Sequence, residues 1–386
     1  MKNEKLLDLY SDYLISAFGQ TTATGLSTLL KNEVSHDSVQ RFLAVEEQAS
    51  ADLWQIVKPH VRKIQSEDGV LIVDDSIGEK PYTDENDIIC WHYDHAKQRN
   101  IKGINFVTCL YHSLGVSLPV AFEIVAKTER YTDPKSKKEK RRSKRTKNEM
   151  YRELVKQADK NQIVFKTVLN DIWFASAENM KFVKIMLKKE FVMPLKTNRK
   201  VAVSLRTKQE GRYQRVDTLE LEAMKPVTVY LEEVGFPLLL VKQVFTNEDG
   251  STGILYLVTS DITLDGNGMT MLYQKRWNVE PYHKSLKQNA SLEKSPTQTV
   301  TTQTNHFFAA LCGYIKLELL KGDTKLNHFA LKSKLYLHAI QAAYAKLREF
   351  NPVCLAALGE LFIESIICNL IPELISVIGP QGSKGY

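Results

Sequence analysis

The sequence has few cysteines, and their spacing excludes the sites that cysteines usually build. None of the five cysteines among the 386 residues belongs to a Cys-x-x-Cys pair. A zinc site made of paired cysteines and a disulfide framework both need closely or regularly spaced cysteines, so neither is predicted. We expect a reducing compartment and therefore a cytoplasmic protein. The five are Cys90, Cys109, Cys312, Cys354 and Cys368.

The sequence also lacks a long hydrophobic run. Its most apolar C-terminal segment, residues 361–378, is interrupted by two glutamates, an asparagine and a proline. A membrane-spanning helix needs about 20 predominantly apolar residues. The first residues, Met1 to Lys5, lead into an amphipathic stretch and not into the apolar core of a signal peptide. No membrane partner is therefore predicted.

Basic residues exceed acidic ones by a net charge of +7, and much of the excess lies in one segment. Nine of the thirteen residues 135–147 are basic, and Glu139 is the only acidic residue among them. Such like charges repel one another unless a polyanion is present. We predict phosphate contacts for this segment; a mobile solvated loop is the alternative. The nine are Lys135, Lys137, Lys138, Lys140, Arg141, Arg142, Lys144, Arg145 and Lys147.

The first 66 residues have the apolar spacing of helices. Residues 25–30 and 38–43 are separated by a short polar turn, in which Ser35 or Asp37 could cap the second helix. A helix-turn-helix would direct Arg41 towards DNA and Phe42 towards the core. An ordinary helical hairpin is the alternative interpretation.

From Gly69 onward, apolar runs of strand length appear, at first consecutively and then alternating with helices. The order strand, strand, strand, helix, strand, helix, strand is typical of an RNase H-like mixed sheet. The runs are strands at 70–73, 104–111 and 120–125, a helix at 149–160, a strand at 163–169, a helix at 177–189 and a strand at 191–195. Residues 199–260 are mostly β, helical character runs from Met269 through Lys287, and residues 300–350 indicate two more helices.

The predicted fold class is α/β, an α+β mixed sheet: an RNase H-like catalytic core with an inserted β-rich subdomain and a helical N-terminal DNA-binding region. The predicted domains are residues 1–66 for the helical region, 67–198 for the first part of the core with a basic loop at 130–148, 199–262 for the inserted subdomain, 263–310 for the last part of the core, and 311–386 for a C-terminal helical region.

Three acids lie where such a sheet would bring them together. Asp74 follows the first apolar strand run, Asp171 follows the run at 163–169, and Glu280 lies on a later helix. Carboxylates that meet repel one another unless metal ions neutralise them, and hard oxygen ligands suit Mg²⁺ or Mn²⁺. We predict that these catalytic acids hold two ions. Asp75 competes with Asp74, but strand alternation directs the two to opposite faces, which leaves Asp75 as a structural hydrogen-bond acceptor.

The segment around Glu280 carries the most specific pattern. Tyr273, Arg276, Glu280 and Lys287 fall within about a 60° arc of one helix, at about 100° per residue. Beside DNA, Arg276 would grip a phosphate with paired N–H groups, Lys287 would add a positive charge and Tyr273 a hydroxyl. We therefore predict that all three contact DNA.

This pattern resembles the Tyr-x2-Arg-x3-Glu-x6-Lys signature of the cut-and-paste transposases of bacterial insertion sequences, which are RNase H-like DDE enzymes. Val73-Asp74-Asp75-Ser76 and the stretch from Val168 to Phe174 are similar to their first and second acidic motifs. The resemblance covers roughly residues 70–310. It implies metal-dependent cleavage at transposon ends and strand transfer into target DNA, with Mg²⁺ as cofactor and Mn²⁺ as a substitute. It also implies a homodimer on paired terminal inverted repeats, in a bacterial cytoplasm at the nucleoid.

Some members of this group flip a base out of the stack, for which Trp173 and Trp277 are the candidate aromatic platforms. We otherwise expect Trp277 to pack under its helix and His283 to be packed or solvated. His92 is expected to be structural or close to DNA. Two other functions stay open: an RNase H-like nuclease without strand transfer, and a DNA-binding regulator without catalysis.

Overall fold

The computed structural model describes residues 2–95, 97–134, 136–247 and 249–350. The predicted helical character of residues 351–386, the apolar segment 361–378, two of the cysteines and Lys135 of the basic segment lie outside these residues. The strands are β1 Val70–Glu79, β2 Ile89–Asp94, β3 Arg99–Ser113, β4 Val116–Ile124, β5 Glu129–Thr132, β6 Glu139–Arg142, β7 Thr167–Asn170, β8 Glu190–Leu195, β9 Lys200–Val201, β10 Gln214–Arg215, β11 Val227–Val229, β12 Leu238–Thr246 and β13 Thr252–Thr259. The helices are α1 Lys2–Ser16, α2 Ala23–Leu29, α3 His36–Leu43, α4 Ser50–Ile64, α5 Lys147–Lys160, α6 Ala177–Lys181, α7 Leu205–Gln209, α8 Gly266–Gln274, α9 Val279–Gln288, α10 Val300–Thr324 and α11 His328–Phe350.

The centre of the molecule is a mixed sheet in the order β4-β3-β1-β7-β8. Strand β3 pairs antiparallel with β1 and β4, whereas β7 pairs parallel with β1 and β8. Helix α5 precedes β7 and helix α6 connects β7 to β8, as parallel neighbours require a crossover. This is the order expected of an RNase H-like core, and the predicted fold class is confirmed.

The β-rich residues between β8 and α8 extend this sheet. Strand β13 pairs antiparallel with β8, and β12 and β11 follow, so the sheet continues past the core. Strands β9 and β10 form a separate two-stranded sheet. Strand β2, which has no continuous apolar run, pairs with the first half of β3 and was not predicted.

The helices cover the sheet with large apolar side chains. Phe307 of α10 lies with its ring centroid 4.8 Å from that of Phe106 and 5.3 Å from that of Phe122, so α10 packs on β3 and β4. On the N-terminal side, Ser35 caps α3 by accepting a hydrogen bond from the amide of Ser38. The cap is therefore Ser35 and not Asp37. Val39 and Leu43 of α3 are buried and Phe42 is half-buried, whereas Arg41 is exposed.

The helix predicted from Met269 through Lys287 is interrupted. Helix α8 ends at Gln274, residues Lys275–Asn278 form a 3₁₀ turn, and α9 begins at Val279. Pro281 gives the reason, because its ring clashes with the carbonyl of the residue four positions earlier, Trp277, in an α-helix. The turn ends two residues before Glu280, which therefore lies in the first turn of α9.

The described residues divide into two units, 2–318 and 319–350. In the second unit, α11 exposes several apolar side chains. Among the described residues, no helix combines the length and the apolar character that crossing a membrane requires.

Candidate active site

Asp74 lies where β1 loses its parallel neighbour. The pairing of β1 with β7 runs from Val70 to Val73, and Val73 faces Asn170. Strand β1 itself continues to Glu79 beside β3, so the prediction that Asp74 ends its strand was wrong. The departure of β7 opens the sheet at this point. Asp74 therefore reaches a cleft although it lies within a strand.

Asp171 directly follows the last residue of β7, Asn170. The register that pairs Val73 with Asn170 would bring Asp74 beside Asp171, on strands about 4.8 Å apart. The carboxylate of Asp171 is held in position because its Oδ1 accepts a hydrogen bond of 2.9 Å from the amide of Trp173. Two of the three predicted acids thus meet across neighbouring strands.

Glu280, in the first turn of α9, is connected to Asp74 by an arginine that contacts both carboxylates. Nη1 of Arg276 lies 3.7 Å from Oδ2 of Asp74 and 3.4 Å from Oε1 of Glu280. Arg276 is buried, whereas the side chain of Glu280 is 53% exposed. One guanidinium therefore stands between the acid from the sheet and the acid from the helix.

The acids are crowded enough to alter one another's protonation. Burial, followed by the charges of Asp171 and Asp75, raises the pKa of Asp74 well above its ordinary value, and Arg276 opposes this rise. Burial and the charge of Asp75 raise the pKa of Asp171 to about 6. Such repulsion between carboxylates is what a bound cation would relieve.

These residues fit a divalent metal in donor type, since carboxylate oxygens are the ligands that Mg²⁺ and Mn²⁺ prefer. Within the described part of the chain, however, no group of three or more Asp, Glu, His or Cys side chains stands ready to hold an ion. The position of Arg276 between Asp74 and Glu280 gives a physical reason. All three acids could bind one metal centre only if the guanidinium withdrew.

Asp75 faces α5. Its Oδ2 accepts a hydrogen bond of 2.5 Å from Nζ of Lys147 and one of 3.4 Å from Nδ2 of Asn105. Asp75 is thus an acceptor, as predicted. The prediction that it points away from Asp74 was wrong, because both side chains line the same cleft and the charge of Asp75 raises the pKa of both Asp74 and Asp171. The partner, Lys147, belongs to the basic segment, and the sequence offered no local signal that it would reach β1.

Of the residues predicted to contact DNA from the helix, only Lys287 lines the cleft. Tyr273 and Arg276 are buried, and the guanidinium of Arg276 lies 5.7 Å from the ring centroid of Tyr273. The structure therefore does not present these two side chains to solvent, because the 3₁₀ turn breaks the uniform arc assumed from the sequence. Trp277 is 60% exposed, so the prediction that it packs under the helix was wrong.

The basic segment is folded. Strands β5 and β6 pair from Glu129 with Arg142 to Thr132 with Glu139, and Lys147 already begins α5. The interpretation as a mobile solvated loop, and the loop boundaries 130–148, were therefore wrong. The basic residues that the segment still offers as DNA contacts are Lys140, Arg141, Arg142, Lys144 and Arg145, which are exposed or half-buried.

The two histidines considered from the sequence are both packed. His283 lies edge-on to Phe106 with ring centroids 5.8 Å apart, and His92 is buried on β2. Burial lowers the pKa of each to about 3, so both are neutral at ordinary pH. This agrees with the structural roles predicted for them.

The cleft has an aromatic wall, of which the sequence indicated only Trp173. Its volume is about 880 Å³, and the three acids line it together with Tyr93, His95 and Trp173. The ring of His95 lies between those of Tyr93 and Trp173, with centroid distances of 4.8 Å and 4.6 Å. A run of alternating aromatic residues on an edge strand was the signal available, but β2 itself was not predicted.

Comparison with known proteins identifies a family. A family model described as DDE superfamily endonuclease matches residues 2–228, which include Asp74 and Asp171 and end before Glu280. No curated protein matches the chain in sequence. The solved structure of the Drosophila P element transposase strand transfer complex is similar at 12% identity and a TM-score of 0.25. That match covers 48% of this chain, which spans about a third (36%) of the other.

Proposed function

Because this chain belongs to the DDE superfamily of endonucleases, we propose that it is a DNA transposase whose catalytic acids are Asp74, Asp171 and Glu280. It cuts DNA at the ends of a mobile element and joins those ends to target DNA. The observation that carries the proposal is the strand register that brings Asp74 beside Asp171, with Glu280 reaching them through Arg276.

The three acids would hold two Mg²⁺ ions, for which Mn²⁺ could substitute. Such ions, when bound, activate the attacking oxygen and stabilise the leaving oxygen of a phosphodiester. Asp171 is oriented by the amide of Trp173, so its carboxylate needs no rearrangement. Arg276, released from Asp74 and Glu280 as their charge is neutralised, would become available to pair with a phosphate through its planar N–H groups.

The surroundings support DNA as the partner. Lys287 and Lys284 lie along the cleft beyond Glu280. The hairpin β5–β6 and the exposed Arg41 of α3 supply further positive charge for phosphates. We propose that two copies pair the two DNA ends, and sedimentation with and without end DNA measures this directly.

Replacement of each catalytic acid tests the assignment. On a duplex containing the DNA that flanks the gene, with Mg²⁺, we expect Asp74→Ala, Asp171→Ala and Glu280→Ala each to reduce cleavage by more than about 100-fold, because even residues that only orient metal ligands cost 10–100-fold. Circular dichroism should report intact folding. Glu220→Ala removes an exposed carboxylate and serves as the matched control.

The variant Asp75→Asn tests whether Asp74 or its neighbour Asp75 is the catalytic acid, because Asp75 is hydrogen-bonded to Lys147. We expect a much smaller loss for Asp75→Asn than for Asp74→Asn. Normal cleavage by all three alanine variants would contradict the site. Cleavage without joined products would instead indicate a nuclease that lacks strand transfer.

A further inference from the structure

We infer that an unpaired DNA strand lies on a row of aromatic rings that leads from the basic hairpin into the active cleft. The row consists of Trp91, Tyr93, His95 and Trp173, and we call it the aromatic row. The inference rests on the proposed function, because it names the form of DNA that this site would take.

The row follows from the position of β2 at the edge of the sheet. Side chains along a strand alternate between its faces, so Trp91 and Tyr93 point the same way, about 7 Å apart along the strand. They are 53% and 51% exposed. His95 continues the row and packs against Trp173, which is 52% exposed and comes from the segment after β7. Two distant segments thus form one exposed aromatic surface.

One end of the aromatic row lies at the catalytic acids. Tyr93, His95 and Trp173 line the cleft that contains Asp74 and Glu280. The backbone amide of Trp173 donates the hydrogen bond that holds Asp171, so the residue that carries this ring is anchored directly beside the carboxylate. A base stacked on this ring would lie next to the phosphodiester that the acids act on.

The other end lies at a basic groove. Trp91 lines a second cavity of about 770 Å³ together with Lys127, Arg130, Lys140 and Arg141. The Trp91 ring is held there, because its Nε1 donates a hydrogen bond of 2.8 Å to Glu85. The neighbouring Lys127 donates from Nζ to the carbonyl of Trp91 at 2.7 Å. This groove supplies positive charge at the point where the row begins.

A surface that combines exposed aromatic rings with lysine and arginine side chains is typical of a site for single-stranded nucleic acid. Aromatic side chains stack on the faces of bases, and lysines and arginines follow the phosphates. Nζ of Lys196 lies 4.8 Å from the centroid of the Trp173 ring, which adds a positive charge beside the inner end. In a duplex the base faces are already stacked on one another. The row therefore selects a strand that has been unpaired.

Binding of short oligonucleotides to the full chain tests the row without catalysis. The probes are a fluorescein-labelled 15-nucleotide thymidine strand and a duplex of the same length, followed by anisotropy in EDTA. We expect Trp91→Ala and Trp173→Ala each to weaken single-strand binding roughly 5- to 100-fold, the range of one base stack, and to change duplex binding by about twofold or less. Trp173→Phe keeps a ring and should retain most of the affinity.

Phe245→Ala is the control, since Phe245 is an exposed ring on β12, near the opposite edge of the sheet. Parental single-strand affinity in both alanine variants would overturn the aromatic row, even if the enzyme cuts and joins DNA. Equal loss of single-strand and duplex binding would also overturn it. Selective loss of single-strand binding supports the row whether or not the parent cleaves DNA, so its outcome is distinct from that of the proposed function.

Discussion

Arg276 holds one nitrogen between two carboxylates in a buried position. A buried charge is costly unless it is paired, and the removal of one partner leaves the others uncompensated. Here the arginine offsets the repulsion among Asp74, Asp171 and Asp75. Arg276 therefore has the role of a counter-ion to these acids.

This role predicts a stability effect that metal reverses. Arg276→Met keeps the volume but removes the charge, and in EDTA at neutral pH it should lower the free energy of unfolding by about 2 kcal/mol. That value is below the range for a fully buried pair, since Glu280 is half exposed. Thermal melting measures the loss.

Added Mg²⁺ should raise the melting temperature of Arg276→Met more than that of the parent, because the ions replace the missing charge. Arg206→Met, on an exposed pair with Glu210, is the control and should respond to neither change. An Arg276→Met protein as stable as the parent in EDTA would contradict the counter-ion role.

At the scale of one element, helix α5 connects the basic segment to strand β1 of the sheet. Thr146 caps its first turn: the amide of Glu149 donates to Oγ1 of Thr146 at 3.2 Å, and the amide of Thr146 donates to Glu149 at 2.7 Å. Lys147, which follows directly, is thereby directed to Asp75. The first turn of α5 therefore places the positive charge of Lys147 beside Asp75 of β1.

Loss of this cap should destabilise the protein by a defined amount. Thr146→Ala removes the hydroxyl acceptor of the capping box, and we expect the free energy of unfolding to fall by about 1 kcal/mol in urea denaturation. Thr146→Ser retains the hydroxyl and should stay within about 0.3 kcal/mol of the parent. If the two variants were equally stable, the cap would have no energetic role.

For the molecule as a whole, buried neutral histidines make stability depend on pH. His306 of α10 joins α1 to the segment after α9: its Nδ1 accepts from the Tyr10 hydroxyl at 3.0 Å, and its Nε2 donates to the carbonyls of Ser291 and Leu292 at 3.1 Å. Burial lowers the pKa of His306 to about 3. Protonation would remove the acceptor and place a charge in the core.

The free energy of unfolding should therefore decrease as the pH falls from about 6.5 towards 3. In this range the unfolded imidazole binds a proton and the folded one does not. Asp74 and Asp171 act in the opposite sense, because their pKa values are raised. His92 and His283, whose pKa values are also lowered by burial, act in the same sense as His306.

Urea denaturation at pH 7.5 and pH 4.5 measures the effect. His306→Gln should lose roughly 2–3 kcal/mol less than the parent between these two pH values, since it removes one titrating group. His36→Gln, at an exposed position, is the control. An identical pH dependence in the parent and His306→Gln would exclude a contribution from His306.

Much of the fold follows from local pattern. The continuous apolar run of β1 and the run at 191–195 are strands because both are buried in the sheet, and such runs are visible without knowledge of their partners. The edge strand β2 was missed because half of its side chains face solvent, which leaves no apolar run. The break before α9 was missed because the helical spacing continues through Pro281.

The sequence by itself determined most of the core elements and the chemical types of the candidate site: acids directly after two buried apolar runs, and an arginine four residues before a glutamate. Those features depend on neighbours in the chain. Only the tertiary structure decided that Asp74 meets Asp171, that Arg276 is buried between carboxylates, and that His95 meets Trp173. These contacts depend on strand register and on packing between segments 70 or more residues apart, and local periodicity carries no information about either.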